Sequence, residues 1–208
     1  MKYAETFPEG MVLGPKSFLH LGNRAAIDQA LRSLVRRGGM IRIFQGRYVR
    51  TINTRSGKRS PDLQKVLDSL QKLLGGPIVP SGAFAAKSLG LSEEVPPRPT
   101  YLVPGPDRRL SLGGIEVDLR HAPRWQLVVP GRLAGTIIRA LAFLGPEKTE
   151  DALNSIVPGL SETDFAQLIS LRSRVPLWIA EPLGAFIRPE HTAEVLFYWA
   201  FNRESEVP

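Results

Sequence analysis

Between Asn23 and Arg50 the chain changes its apolar period, and that change restricts the fold more than any other feature. From Arg24 to Arg37 the apolar residues are Ile27, Ala30, Leu31, Leu34 and Val35. This is the i, i+3, i+4, i+7, i+8 spacing of one face of an amphipathic helix. Asn23 stands at the N-cap, where a side-chain oxygen accepts from an orphan amide of the first turn. Gly38-Gly39 ends the helix, because glycine enters the left-handed conformation without a Cβ clash. Met40–Phe44 and Arg47–Arg50 then read as two strands around a Gln45-Gly46 turn. With a short helix over Pro15–His20 and a turn at Leu21-Gly22, the order is helix, turn, helix, hairpin. That is the order of a winged helix-turn-helix.

The same stretch is strongly basic. Leu31–Arg50 holds six arginines and no acidic residue. On a helical wheel Ala25, Gln29, Arg32, Ser33 and Arg36 point away from the apolar face. In a winged helix-turn-helix the second helix enters the major groove, where Gln pairs with adenine and Arg with guanine. The candidate DNA-binding residues are therefore Arg24, Gln29, Arg32, Ser33 and Arg36 on the helix, and Arg42, Arg47 and Arg50 on the hairpin. Gln29 and Arg32 are expected to read bases, and Arg36, Arg47 and Arg50 to neutralise phosphates. Arg55, Lys58 and Arg59 would add backbone contacts.

Charge across the whole chain supports a polyanion partner for one part only. Residues 1–60 hold 12 Lys/Arg and 3 Asp/Glu, a net of +9, whereas residues 61–208 hold 15 and 17, a net of −2. No apolar run approaches the roughly 20 residues a membrane helix needs. The opening MKYAETFPEG lacks the apolar core of a signal peptide. There is no cysteine, which excludes a disulfide framework and thiolate-ligated zinc. A cytoplasmic protein that does not engage membranes is expected.

Residues 51–60, TINTRSGKRS, contain one apolar residue and read as a linker. Ser60 is placed to cap a helix with Pro61 at its first position, and its buried stripe is Leu63, Val66, Leu67, Leu70, Leu73 and Leu74. A short helix follows over Ala83–Leu89. VPPRPTYLVPGP has five prolines in 12 residues, so it is largely non-helical, with a strand at Thr100–Val103. Arg109–Leu112 and Ile115–Arg120 read as a hairpin about Gly113-Gly114, and Trp125–Val129 as a further strand. Helices are expected over 131–144, 148–157, 161–172, 176–186 and 189–202. Ser161 with Asp164, and Leu160 with Phe165, have capping-box and staple spacing. The expectation is an α+β chain: a winged helix-turn-helix over 1–50, a linker over 51–60, and a mixed domain over 61–208. That domain would hold a small sheet and a helical C-terminal half.

Three constellations have the residue types of chemistry. Gly82 to Lys87-Ser88 is like a phosphate loop but lacks the second glycine, so it reads as a turn opening a helix. In IEVDLR, strand alternation puts Glu116 and Asp118 on one face, with Arg120 beside them and Asp107 near in sequence. A metal-dependent DNA nuclease is the alternative this allows, although such sites favour Lys over an always-protonated Arg. A module for structured RNA, using the same basic face, is the other alternative. His20, His121 and His191 have no metal-ligand spacing, and no G-x-S-x-G elbow is present. Phe197, Tyr198, Trp199 and Phe201 read as packing. The expectation is no enzyme, with no catalytic, metal or cofactor-binding residue.

RSLVRRGGMIRIFQGRYVR resembles the AbiEi-type antitoxins, whose second helix runs into the wing through L-x-x-L-x-x-x-G-x-I-x-R-x-x-x-G-x-Y. The pattern falls on Leu31, Leu34, Gly38 or Gly39, Ile41 or Ile43, Arg42, Gly46 and Tyr48. GGPIVPSGAFAAKSLGLSEEVPPRPTYLVPGPDRRLSLGGIEVDLRHAP resembles the segment after the winged domain in a subgroup of those proteins. The resemblance implies a transcriptional autorepressor and antitoxin of a type IV toxin–antitoxin (abortive infection) pair. It would bind double-stranded DNA at its own promoter. It would also oppose a nucleotidyltransferase-like toxin without a stable complex. Seven residues precede Pro8, so the first helix of that pattern is short or missing here.

Overall fold

The computed structural model describes residues 6–187. It is an α+β structure, and its chain forms two compact units. Unit 1 is Met1–Ile78 with Arg98–His121, and unit 2 is Val79–Pro97 with Ala122–Pro208.

Unit 1 starts with a 3₁₀ helix at Pro15–Leu21, then α1 (Arg24–Arg36), β1 (Met40–Phe44) and β2 (Arg47–Arg50). Asn23 Oδ1 accepts from the Ala26 amide at 2.9 Å, the expected N-cap. Gly38, at φ +64°, closes the other end. Its amide donates to the Val35 carbonyl and that of Gly39 to Leu34, the paired bonds of a Schellman motif. Next come β3 (Ile52–Thr54), β4 (Gly57–Arg59) and α2 (Leu63–Leu74). After the excursion into unit 2 the chain returns with β6 (Thr100–Val103), β7 (Arg108–Leu112) and β8 (Ile115–His121). β8 pairs parallel with β6 and antiparallel with β7.

The β1–β2 hairpin is packed on two sides. Met40 and Tyr48 join Leu13, Phe18, Ile27 and Leu31 in a cluster under α1. Ile43 and Val49 join Val66, Leu67 and Leu70 of α2 and Leu110, Leu112 and Val117 of the β7–β8 hairpin. That second cluster explains why the units depart from the expected boundaries at 50 and 60. The stripe of α2 is buried against the first fifty residues, each full burial stabilising by about 1.5–3 kcal/mol. Residues 61–78 and 98–121 therefore belong with the basic segment, not with the C-terminal helices.

Unit 2 holds β5 (Val79–Pro80), α3 (Gly82–Ser88), α4 (Leu133–Leu144), α5 (Thr149–Ile156), α6 (Glu162–Ser170) and α7 (Leu177–Gly184). Ile137, Ile138, Leu141, Leu153, Leu168, Ile179 and Leu183 are fully or almost fully buried in one cluster. Ser161 caps α6 by accepting from the Asp164 amide at 3.2 Å. The need for glycine at 82 comes from packing. A Cβ there would stand 2.5 Å from the Arg139 carbonyl and 2.8 Å from Phe143 Cβ, so only glycine lets α3 approach α4. Among the described residues one charged side chain is inside: Arg139 is 2% exposed. Its Nη2 donates to Thr136 Oγ1 at 3.1 Å, while Nε and Nη1 have no partner among the described residues. Burial pushes its pKa down to about 10.

Several expectations are corrected. Residues 51–60 are not an unstructured linker: Ile52–Thr54 and Gly57–Arg59 pair as an antiparallel ribbon. The cap of α2 is Asp62, which accepts from the Lys65 amide at 3.2 Å, and not Ser60. Trp125–Val129 is not a strand. Pro123 starts a 3₁₀ turn over Arg124–Gln126, Trp125 packs edge-on to Trp178, and Val129 takes φ +37° just before Pro130. The short helix expected over Pro15–His20 is present as a 3₁₀ segment over Pro15–Leu21. His191, the helix expected over 189–202 and its aromatic cluster lie outside the described residues.

Candidate nucleic-acid interface

The outward side of α1 and the near side of β1–β2 border an open concavity of about 450 Å³ lined by Gln29, Arg32, Val35, Arg36, Arg42 and Tyr48. Four candidate residues therefore converge on one concave surface. The helix supplies Gln29, Arg32 and Arg36, which are successive positions three and four apart on one side of α1. The hairpin supplies Arg42, which the strand register sets opposite Tyr48. Val35 and Tyr48 form an apolar floor, and Tyr48 is almost fully buried. Among the described residues that line the concavity, none is acidic.

The other four candidates do something else. Arg24 Nε pairs with Asp28 Oδ2 at 2.9 Å, one turn along α1. Ser33 is half-buried, and its carbonyl accepts from the Arg37 amide. Arg47 Nη1 donates to the Gly46 carbonyl at 3.3 Å. Arg50 Nε donates to the Phe7 carbonyl at 2.7 Å, which fastens the N-terminal segment to β2. Arg47 and Arg50 therefore each carry one bond to a backbone carbonyl, with further N–H groups left over. Arg32 also has one local bond, from Nε to the Asp28 carbonyl at 3.3 Å, which leaves its terminal nitrogens available.

Tyr48 and Val35 were not among the candidate site residues. The clue to Tyr48 is the register: a Gln45-Gly46 turn that pairs Phe44 with Arg47 brings residue 48 level with 42. Asp28 was missed as well. Its carboxylate is neutralised by Arg24, and from Gln29 to Arg59 the sequence contains no Asp or Glu.

The acidic group on β8 is already engaged. Asp118 Oδ1 accepts from Arg109 at 3.1 Å, its partner across the β7–β8 register, and Arg120 lies 3.6 Å from Oδ2. Arg120 also donates to Asp107 at 2.9 Å. The His121 amide, then Arg120, hold the Asp107 carboxyl below its ordinary pKa, and the two carboxylates raise that of Arg120. Among the described residues no group of three His, Cys, Asp or Glu side chains is placed to hold a metal ion. His121 Nδ1 lies 3.2 Å from the carbonyls of Pro104 and Gly105, so it carries the proton. Lys87, the lysine of the phosphate-loop-like stretch, faces Glu93 at 3.9 Å. No helix among the described residues is long and apolar enough to cross a membrane.

The chain belongs to DUF6088, a family of unknown function, whose family model matches residues 1–164. No curated protein and no solved structure matches the chain.

Proposed function

We propose that unit 1 is a winged helix-turn-helix that binds duplex DNA, with α1 in the major groove. The observation that carries this is the convergence of Gln29, Arg32, Arg36 and Arg42 on one concave, acid-free surface. Arginine and glutamine are the side chains that match guanine and adenine edges by paired hydrogen bonds. The 3₁₀ segment at Pro15–Leu21 precedes α1 in the chain, an order that supports this reading. A groove-reading role needs guanidinium groups free of carboxylates, and these are.

The biological role follows from the resemblance of Leu31–Tyr48 and Gly75–Pro123 to AbiEi-type antitoxins. On that reading the protein is a cytoplasmic autorepressor and a type IV antitoxin. It binds its own promoter and opposes a nucleotidyltransferase-like toxin without a stable complex. The nuclease alternative is less favoured, because Asp118 would have to give up two arginines before meeting a metal.

The test is a titration of wild type and Arg32→Ala against the duplex upstream of the gene and a random duplex of equal length. Wild type is expected to prefer the upstream duplex. Arg32→Ala is expected to lose about 1–3 kcal/mol on that duplex and much less on random DNA. Equal losses on both would demote Arg32 to a phosphate contact. Equal wild-type affinity for the two duplexes would contradict sequence-specific repression.

A further inference from the structure

Unit 1 contains two hairpins after α1, and they are built differently. β1–β2 is held on both faces by the two apolar clusters. Its β2 edge is also covered: Leu13 and Tyr48 exchange backbone hydrogen bonds at 2.8 and 2.9 Å. Its two β2 arginines donate to carbonyls of the chain itself. Nothing in this hairpin projects as a separate arm.

The β3–β4 ribbon does project. Every residue from Asn53 to Arg59 is exposed, and none belongs to an apolar cluster. A two-stranded hairpin without a packed face is marginal in water. This one is fastened by polar bonds at its root and turn. Thr51 Oγ1 donates to the Gly38 carbonyl at 2.8 Å, Lys58 Nζ to the Arg37 carbonyl at 3.1 Å, and Thr54 Oγ1 to the Gly57 carbonyl at 2.7 Å. The Lys58 bond puts an ammonium at the negative end of the α1 dipole, beside Arg36 and Arg37. The root of the ribbon is therefore at the C-terminal end of the helix that lines the concavity.

The side chains of the ribbon suit a phosphate backbone and not a base edge. Arg55 at the tip makes no ion pair among the described residues, and Lys58 bonds only a neutral carbonyl. Asn53 adds a neutral side-chain amide donor of the kind that meets phosphate oxygens. Arg59 is the exception, since it is paired with Glu9 at 3.0 Å. We infer that the β3–β4 ribbon, and not β1–β2, grips the sugar–phosphate backbone of a DNA duplex, with Arg55 and Lys58 as the gripping cations. This rests on the DNA-binding reading of unit 1 and moves the wing eight or more residues beyond Arg47.

The experiment uses the full chain and a random-sequence duplex, so that only backbone contacts count, titrated at several salt concentrations. Arg55→Ala with Lys58→Ala is expected to weaken binding about tenfold at low salt and to lower the log–log salt slope by about two. Arg47→Ala is expected to leave the slope unchanged. Arg55→Lys should restore about one unit of slope to the Arg55→Ala variant, because a phosphate contact needs the charge and not the fork. Arg55→Glu alone, at the tip and remote from the root bonds, should weaken binding at least as much as Arg55→Ala. The inference is overturned if the double variant keeps the wild-type slope while Arg36→Ala weakens binding; the DNA reading then stands without the ribbon. It is overturned together with that reading if wild type binds no duplex at the lowest salt.

Discussion

Unit 1 holds 18 Lys/Arg against 8 Asp/Glu, a net of +10, and none of its described arginines is buried. Unit 2 holds 9 against 12, a net of −3, and buries Arg139 in its helical core with two nitrogens unpaired among the described residues. The first arrangement keeps each charge hydrated, so it costs little by itself, and leaves a field that attracts a polyanion. The second costs desolvation with little return, because a buried cation without a carboxylate is not compensated. The lesson is that total charge says little. In unit 1 the arginines form a surface with a sign; in unit 2 an arginine is a local load on stability.

The larger of two effects that sharpen this contrast lies in unit 2. Arg139→Met keeps an unbranched, flexible side chain, though a shorter one, and removes the buried charge. It is expected to stabilise the protein by roughly 1–3 kcal/mol at neutral pH, read as a rise in urea midpoint. The sign with pH is set by the folded-state pKa of about 10, below the ordinary arginine value. Below pH 10 both folded and unfolded forms are protonated and the penalty is full. As pH rises through 10 the folded form sheds its proton first, so the gap to the Met variant narrows. Destabilisation by Arg139→Met at neutral pH would mean that the guanidinium has a partner that matters.

The smaller effect lies in unit 1, where one acid organises two cations. Glu9 accepts from Lys65 at 2.6 Å and lies 3.0 Å from Arg59. Lys65 first, then the Asp62 amide and Arg59, hold its carboxyl at about 2, against an ordinary 4.5. A depressed carboxyl stabilises the fold above the unfolded pKa and ceases to do so as pH falls through the folded one. Glu9→Gln is therefore expected to lower the thermal midpoint slightly at pH 7. The difference should shrink between pH 4.5 and 2 and vanish below that. High salt should shrink it too, since the pair is near the surface. A difference that persists at pH 2 would assign the effect to packing.

The local elements were readable because their signals are local. The Asn23 cap, the Gly38-Gly39 stop, the Gln45-Gly46 turn and the Gly113-Gly114 turn each depend on a few adjacent residues. The limits of the units were not readable, because a stripe such as Val66, Leu67 and Leu70 tells that a helix is buried but not against what. Residues 51–60 lack an apolar alternation, so a ribbon held by Thr51, Thr54 and Lys58 has no hydrophobic signature. The same limit applies to the site. Wheel geometry identified Gln29, Arg32 and Arg36 as outward, and the strand pattern identified Arg42. Only the register placed Arg42 with them over Tyr48, and only tertiary contacts showed Arg50 bonded to Phe7.

The central claim is that duplex DNA meets the cationic surface of unit 1 and leaves unit 2 untouched. Backbone amide hydrogen exchange of the full chain, with and without a duplex at low salt, tests this in one measurement. Added protection is expected in Arg24–Arg36 and in Ile52–Arg59, with little change in Leu133–Leu144, Glu162–Ser170 and Leu177–Gly184. Protection confined to the unit 2 helices, or none anywhere while the duplex is bound, would contradict the account.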